Sequence, residues 1–123
     1  MNFKIFVTGC TGWVGKSFLN ELQSQIPREK FNEKVICFSS KKKNLLSTNY
    51  FDPITIPCYP LEEMPKLSGR EDELRIFHSA FVTKEKIKKL GLYKYINANK
   101  KITNLVENSI QNAKKTKSVI ISS

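Results

Sequence analysis

The sequence predicts a three-layer α/β sandwich in which helices cover both faces of a parallel sheet with strand order 3-2-1-4-5. Short apolar runs rich in β-branched and aromatic residues recur along the chain, segments with apolar residues at three- and four-residue spacing lie between them, and glycines join the first such pair. Strands alternating with helices imply right-handed crossovers, which place the strands in parallel.

Residues 3–7 form the first strand, an apolar run that ends at Thr8-Gly9 as a strand buried on both faces does. From Gly12 the period changes. Val14, Phe18, Leu19 and Leu22 recur at helical spacing, and this amphipathic helix fades before Pro27. After a polar connection, residues 34–38 read as the second strand, closed by Ser39-Ser40-Lys41-Lys42-Lys43. A short third strand is expected at Ile54-Thr55-Ile56, and Pro57, Pro60 and Pro65 make residues 57–70 read as an irregular surface segment. Residues 74–78 form the fourth strand, and residues 83–90 a short helix stopped by Gly91. Ile102, Leu105, Val106, Ile110 and Ala113 then mark a longer helix, before a fifth strand at residues 118–121.

Composition narrows the function. With 123 residues there is room for one domain and one hydrophobic core. No apolar run approaches the roughly 20 residues that span a bilayer, and the N-terminus lacks the long apolar region of a signal peptide, so a cytoplasmic protein without a membrane partner is expected. The net charge of +10 raises the question of nucleic acid. Only Arg28, Arg70 and Arg75 are arginines, and the lysines are scattered without interleaved aromatics, so the charge reads as a solvated surface rather than a nucleic-acid footprint. Cys10, Cys37 and Cys58 show no Cys-x-x-Cys spacing and His78 is the lone histidine, so neither a zinc site nor a disulfide framework is expected; Cys10 reads as a small space-filler.

The segment that carries chemistry is Val7-Thr8-Gly9-Cys10-Thr11-Gly12-Trp13-Val14-Gly15, a Gly-x-x-Gly-x-x-Gly run between strand and helix. Gly9 suits a tight turn with positive φ, Gly12 lets backbone approach a pyrophosphate, and Gly15 lets helix and strand pack closely. The free N–H groups around Trp13 and Val14, with the helix dipole, make an anion site. Gly15-Lys16-Ser17 is not the end of a P-loop, because position 10 is Cys10 where that motif needs glycine.

Residues Thr8 to Gly15 resemble the glycine loop of the extended short-chain dehydrogenase/reductases, Rossmann-type NAD(P)-dependent nucleotide-sugar epimerases and dehydratases. The resemblance continues in His78-Ser79-Ala80-Phe81, in Asn99 and Thr103 as an Asn-x-x-x-Thr pattern opening the long helix, and in residues 119–123 as the strand ending at the family's catalytic Ser/Thr. It implies a cofactor site drawn from Gly9, Thr11, Gly12, Trp13, Val14, Gly15, Ser39, Ser40, Lys41, His78, Ser79, Ala80, Phe81 and Asn99. His78 would pack and hydrogen-bond beside the ribose. Ser123 takes the catalytic Ser/Thr position in a two-serine version of the motif; in a three-serine version that residue would be the next one.

Two departures matter. The family's acidic segment after strand three has no counterpart near Pro57-Cys58-Tyr59, and no Tyr-x-x-x-Lys occurs, since Asn97 and Asn99 stand four residues after Tyr93 and Tyr95. The expectation is therefore an N-terminal cofactor-binding fragment that is inactive alone, with self-association through the exposed edge of strand five, while the parent acts on a nucleotide sugar. A non-catalytic protein with a dinucleotide as regulatory ligand and a basic nucleic-acid module remain as alternatives. The second strand ends in Ser39-Ser40-Lys41 and not in a carboxylate, so NADP is expected over NAD: hydroxyls and a cation suit a 2′-phosphate that an acidic residue would repel.

Overall fold

The computed structural model describes residues 3–46, 53–68, 73–79, 91–113 and the backbone of 116–121. It is an α/β fold. In chain order its elements are β1 (Lys4–Thr8), α1 (Trp13–Gln25), α2 (Arg28–Lys34), β2 (Val35–Ser39), β3 (Lys43–Leu46), β4 (Thr55–Pro60), a 3-10 turn (Leu61–Glu63), α3 (Met64–Ser68), β5 (Leu74–His78), α4 (Leu92–Asn112) and β6 (Thr116–Ile121). The expected helix at residues 83–90 lies outside the described residues.

The strands form one six-stranded sheet in the order β3-β4-β2-β1-β5-β6. Five run parallel: β1 pairs with β2 (Ile5↔Val35 through Thr8↔Phe38) and with β5 (Lys4↔Leu74 through Thr8↔His78), β4 lies outside β2, and β6 lies outside β5. The sixth corrects the sequence-based order. β3 returns antiparallel on the outer side of β4, with Leu45 opposite Ile56 and Leu46 opposite Thr55, so the sheet is mixed rather than wholly parallel. Its four residues KNLL lie at an edge and show no alternation of buried and exposed positions, so no period-2 signal marks them.

Two cores fill the spaces on either side of the sheet. Ile5 and Val7 of β1, Cys37 of β2 and Phe77 of β5 pack with Leu19 and Leu22 of α1 and Phe31 of α2. Phe6, Phe38 and Ile76 face the other way, into a cluster with Met64 of α3 and Val106 of α4. Strands clothed on both faces explain the near-continuous apolar runs in the sequence. Phe18 stacks on Phe77 with ring centroids 4.0 Å apart, and Phe6 meets Phe38 edge to face at 5.0 Å, so aromatic pairs tie helix to strand on one side and strand to strand on the other.

Three further expectations are corrected. The connection before β2 contains α2, which starts after Pro27 and is anchored by Phe31, a side chain with no exposed surface; its single apolar anchor is too sparse for a periodicity reading. Residues 57–68 are ordered as the end of β4, the 3-10 turn and α3 rather than irregular. Two of their prolines sit where an N–H is dispensable: Pro60 precedes the 3-10 turn, and Pro65 lies in the first turn of α3. Finally, α4 opens at Leu92 after Gly91, whose φ of 84° suits a glycine, so Asn99 stands inside the helix and does not open it.

Candidate functional site

Parallel register brings the carboxyl ends of β1, β2 and β5 to one edge, because Thr8 stands opposite both Phe38 and His78. The glycine loop emerges there. Gly9 has φ 71°, and a Cβ on it would fall 2.4 Å from Ser79 Oγ and 2.6 Å from the Ser79 carbonyl carbon, so conformation and space both demand glycine. A Cβ on Gly15 would fall 2.1 Å from the Gly9 carbonyl oxygen, which holds the first turn of α1 against the loop. Gly12 differs. Among the described residues a Cβ there would meet only the Gly9 oxygen, at 3.5 Å, which leaves the space over Gly12 open on the described side.

The loop is closed by a bond from the Gly12 N–H to the Gly9 oxygen (3.1 Å), and α1 begins with Lys16 N–H donating to the Gly12 oxygen (2.9 Å). The first-turn N–H groups, at Trp13, Val14 and Gly15, have no acceptor within the helix by its geometry. Among the described residues no side chain caps this end and no acidic residue stands in its first turn, so neither neutralises the positive pole of α1. Thr11 and Gly12 are exposed, Val14 is half-buried, and Trp13 is 81% exposed beside the loop.

Under the loop, Thr8 joins β1 to β5. Its hydroxyl lies 2.6 Å from His78 Nδ1, its Oγ1 accepts from the Ser79 N–H at 3.0 Å, and its carbonyl accepts from Ser79 Oγ at 2.9 Å. With the oxygen already accepting from Ser79, the assignment that uses the Thr8 proton has it donated to Nδ1 of a neutral imidazole. His78 is 2% exposed, and burial pushes its pKa below the ordinary imidazole value. It therefore acts in this fold as a neutral tie between two strand ends.

Ser39 ends β2 at the same edge, and its hydroxyl donates to the Lys41 carbonyl oxygen. Ser40, Lys41 and Lys42 follow as exposed residues. The loop rests on this strand end, since Cys10 Sγ lies 3.6 Å from the Phe38 carbonyl oxygen. Asn99 is half-buried within α4. Ala80, Phe81 and Ser123 lie outside the described residues.

No local spacing groups the cysteines, yet the structure brings all three together. Cys37 and Cys58 are Cα partners in the β2–β4 ladder, Cys10 follows Gly9, and their Sγ atoms lie within 4.8 Å of one another. The Cys10 and Cys58 sulfurs are 3.5 Å apart. S–H groups of Cys37 and Cys58 directed at Cys10 pull its pKa down and raise their own, while the Phe38 carbonyl accepts from Cys10 in its thiol form. The signal that could have found Cys37 and Cys58 together is the alternation Ile56, Cys58 carried on through Pro57, which extends the third strand to Cys58.

A cavity of about 560 Å3, lined in part by Phe3, Lys34, Tyr59 and Glu63, lies at the opposite, amino end of the strands. Ligands of open parallel sheets sit outside the carboxyl ends instead, so the glycine-loop edge is the candidate site. No helix among the described residues is long and apolar enough to cross a membrane. Comparison of the chain with protein-family models, curated proteins and solved structures finds no match.

Proposed function

We propose that this chain is the dinucleotide-binding domain of a Rossmann-type protein similar to the extended short-chain dehydrogenase/reductases. The observation that carries this reading is the contrast among the three glycines: Gly9 and Gly15 are closed against backbone, whereas among the described residues Gly12 is open, beside a helix end with no side-chain cap and no acidic first-turn residue. That combination suits a pyrophosphate, which needs close backbone approach and N–H donors. In this reading the N–H groups of Trp13 and Val14 hold the pyrophosphate. Thr11 flanks it.

Ser39, Ser40 and Lys41 then face the adenosine ribose, and their hydroxyls and charge favour NADP over NAD. His78, Ser79, Ala80, Phe81 and Asn99 belong to the nicotinamide half, with Ser123 in the position of the family's Ser/Thr. Bound NADP would supply hydride chemistry; the chain's own residues bind and orient it. Epimerase, dehydratase or reductase activity on a nucleotide sugar is proposed for the protein to which such a domain belongs, along with a cytoplasmic setting and self-association along the β6 edge.

Calorimetric titration tests the reading. NADP should bind the chain, and Gly12→Val should remove binding while leaving the circular dichroism spectrum unchanged. Equal affinity in the two proteins, or no binding to either, would reject it.

A further inference from the structure

We propose that Cys10, Cys37 and Cys58 form a binding site for monovalent copper, held by three sulfurs beneath the glycine loop. The three side chains come from three separate places in the chain, the loop after β1, the middle of β2 and the middle of β4, and the sheet register brings them to one point. All are free cysteines with at most 1% of their surface exposed.

The spacing suits an ion. A metal at about 2.3 Å from each of three sulfurs in a plane needs those sulfurs about 4.0 Å apart. Here one pair is at 3.5 Å and all lie within 4.8 Å, so shifts of a few tenths of an ångström complete the triangle. Ordinary side-chain rotation supplies that.

The donor set selects the metal. All three ligands are soft sulfurs, which favour Cu(I) over ions that prefer oxygen. Zinc in structural sites takes four ligands, and among the described residues no histidine, aspartate or glutamate joins the three cysteines. The three sulfurs belong to an apolar cluster with Leu19, Val35 and Ile56, which offers no further protein donor. A three-coordinate monovalent ion fits this set without an added donor.

Access and charge agree with this assignment. A small cavity of about 30 Å3, bordered by Lys16 and Asn20 of α1 and by Leu45 and Leu46 of β3, reaches Cys10. Lys43 stands opposite Cys58 in the β3–β4 ladder, a cation close to a set of ligands that becomes anionic on binding. Binding forms Cu–S bonds and releases thiol protons to water. No electron is transferred, because copper enters and stays as Cu(I).

The test is an anaerobic titration of the reduced chain with Cu(I) against a chromophoric Cu(I) chelator, without dinucleotide, so that its outcome is separate from that of cofactor binding. One Cu(I) per chain is expected, with X-ray absorption showing three sulfur neighbours and no nitrogen or oxygen. Cys10→Ser and Cys58→Ser should each weaken binding at least a hundredfold, and Zn(II) should not compete. The X-ray absorption measurement on the unaltered chain decides the matter even if a variant fails to fold. No binding, a nitrogen or oxygen ligand, displacement by Zn(II), or unchanged affinity in a folded Cys10→Ser variant would each overturn the proposal.

Discussion

The Thr8 hydroxyl lies 2.6 Å from Nδ1 of His78, and both residues are buried at the point where β1 and β5 end side by side. His78 is held neutral by burial, with its pKa below the unfolded value of 6.5. The unfolded chain therefore binds this proton more readily than the folded one. Stability is complete above pH 6.5 and falls as the pH drops from there toward the lowered folded value. Urea unfolding of the parent and of His78→Gln on both sides of that pH measures it: the parent should lose more stability on acidification than the variant. Equal losses would contradict the assignment.

The Thr8 side chain itself serves two partners, His78 and the Ser79 N–H. Thr8→Val keeps the shape but strands those buried groups, at a cost of about 1–3 kcal/mol. Chemical denaturation should show that loss, and a change within error of zero would mean that water replaces the hydroxyl.

Gly12 and Gly15 should respond differently to alanine. At Gly15 the new methyl group would overlap the Gly9 backbone, which has no flexible side chain to yield, so Gly15→Ala should lower stability by about 2–3 kcal/mol. Gly12→Ala meets one atom at van der Waals distance and should cost about 1 kcal/mol or less. Thermal unfolding of the pair checks the order, and a reversed order would refute the packing described for the loop.

Phe31 is the sole buried residue of α2, and it reaches the core beneath β1 and β2. Phe31→Ala should cost about 3–5 kcal/mol, a large share of the roughly 5–15 kcal/mol that stabilises a domain. Hydrogen exchange should show α2 losing protection first. Uniform protection across the chain would mean that α2 is held by other contacts.

At the end of β2, the Ser39 hydroxyl donates to the Lys41 carbonyl and fixes the turn into Ser40-Lys41-Lys42. Ser39→Asp replaces it with a carboxylate beside the proposed 2′-phosphate position. NADP affinity should fall at least tenfold, about 1.4 kcal/mol, while NAD affinity holds or rises. Unchanged NADP affinity would place the phosphate elsewhere.

The legible parts of this fold are those whose signals are local and dense. β1 and β2 are continuous apolar runs, α1 carries a full apolar stripe, and Gly9, Gly12 and Gly15 are spaced by the geometry of the turn they make. What escaped the sequence depends on partners far along the chain. β3 exists because β4 offers it an edge, α2 because one phenylalanine finds the core, and β4 runs through Pro57 to Pro60 because it is paired on both sides. The cysteine cluster was hidden for the same reason: Cys10, Cys37 and Cys58 meet only once the register is set.

The proposed dinucleotide site lies at the loop between β1 and α1 and holds its ligand through backbone N–H groups. Amide chemical-shift mapping tests it most directly. Addition of NADP should shift the N–H resonances of Gly12, Trp13, Val14 and Gly15 first and farthest, with Ser39 to Lys41 following. Shifts confined to the cavity around Phe3, Lys34 and Tyr59, or no saturable shifts at all, would contradict it.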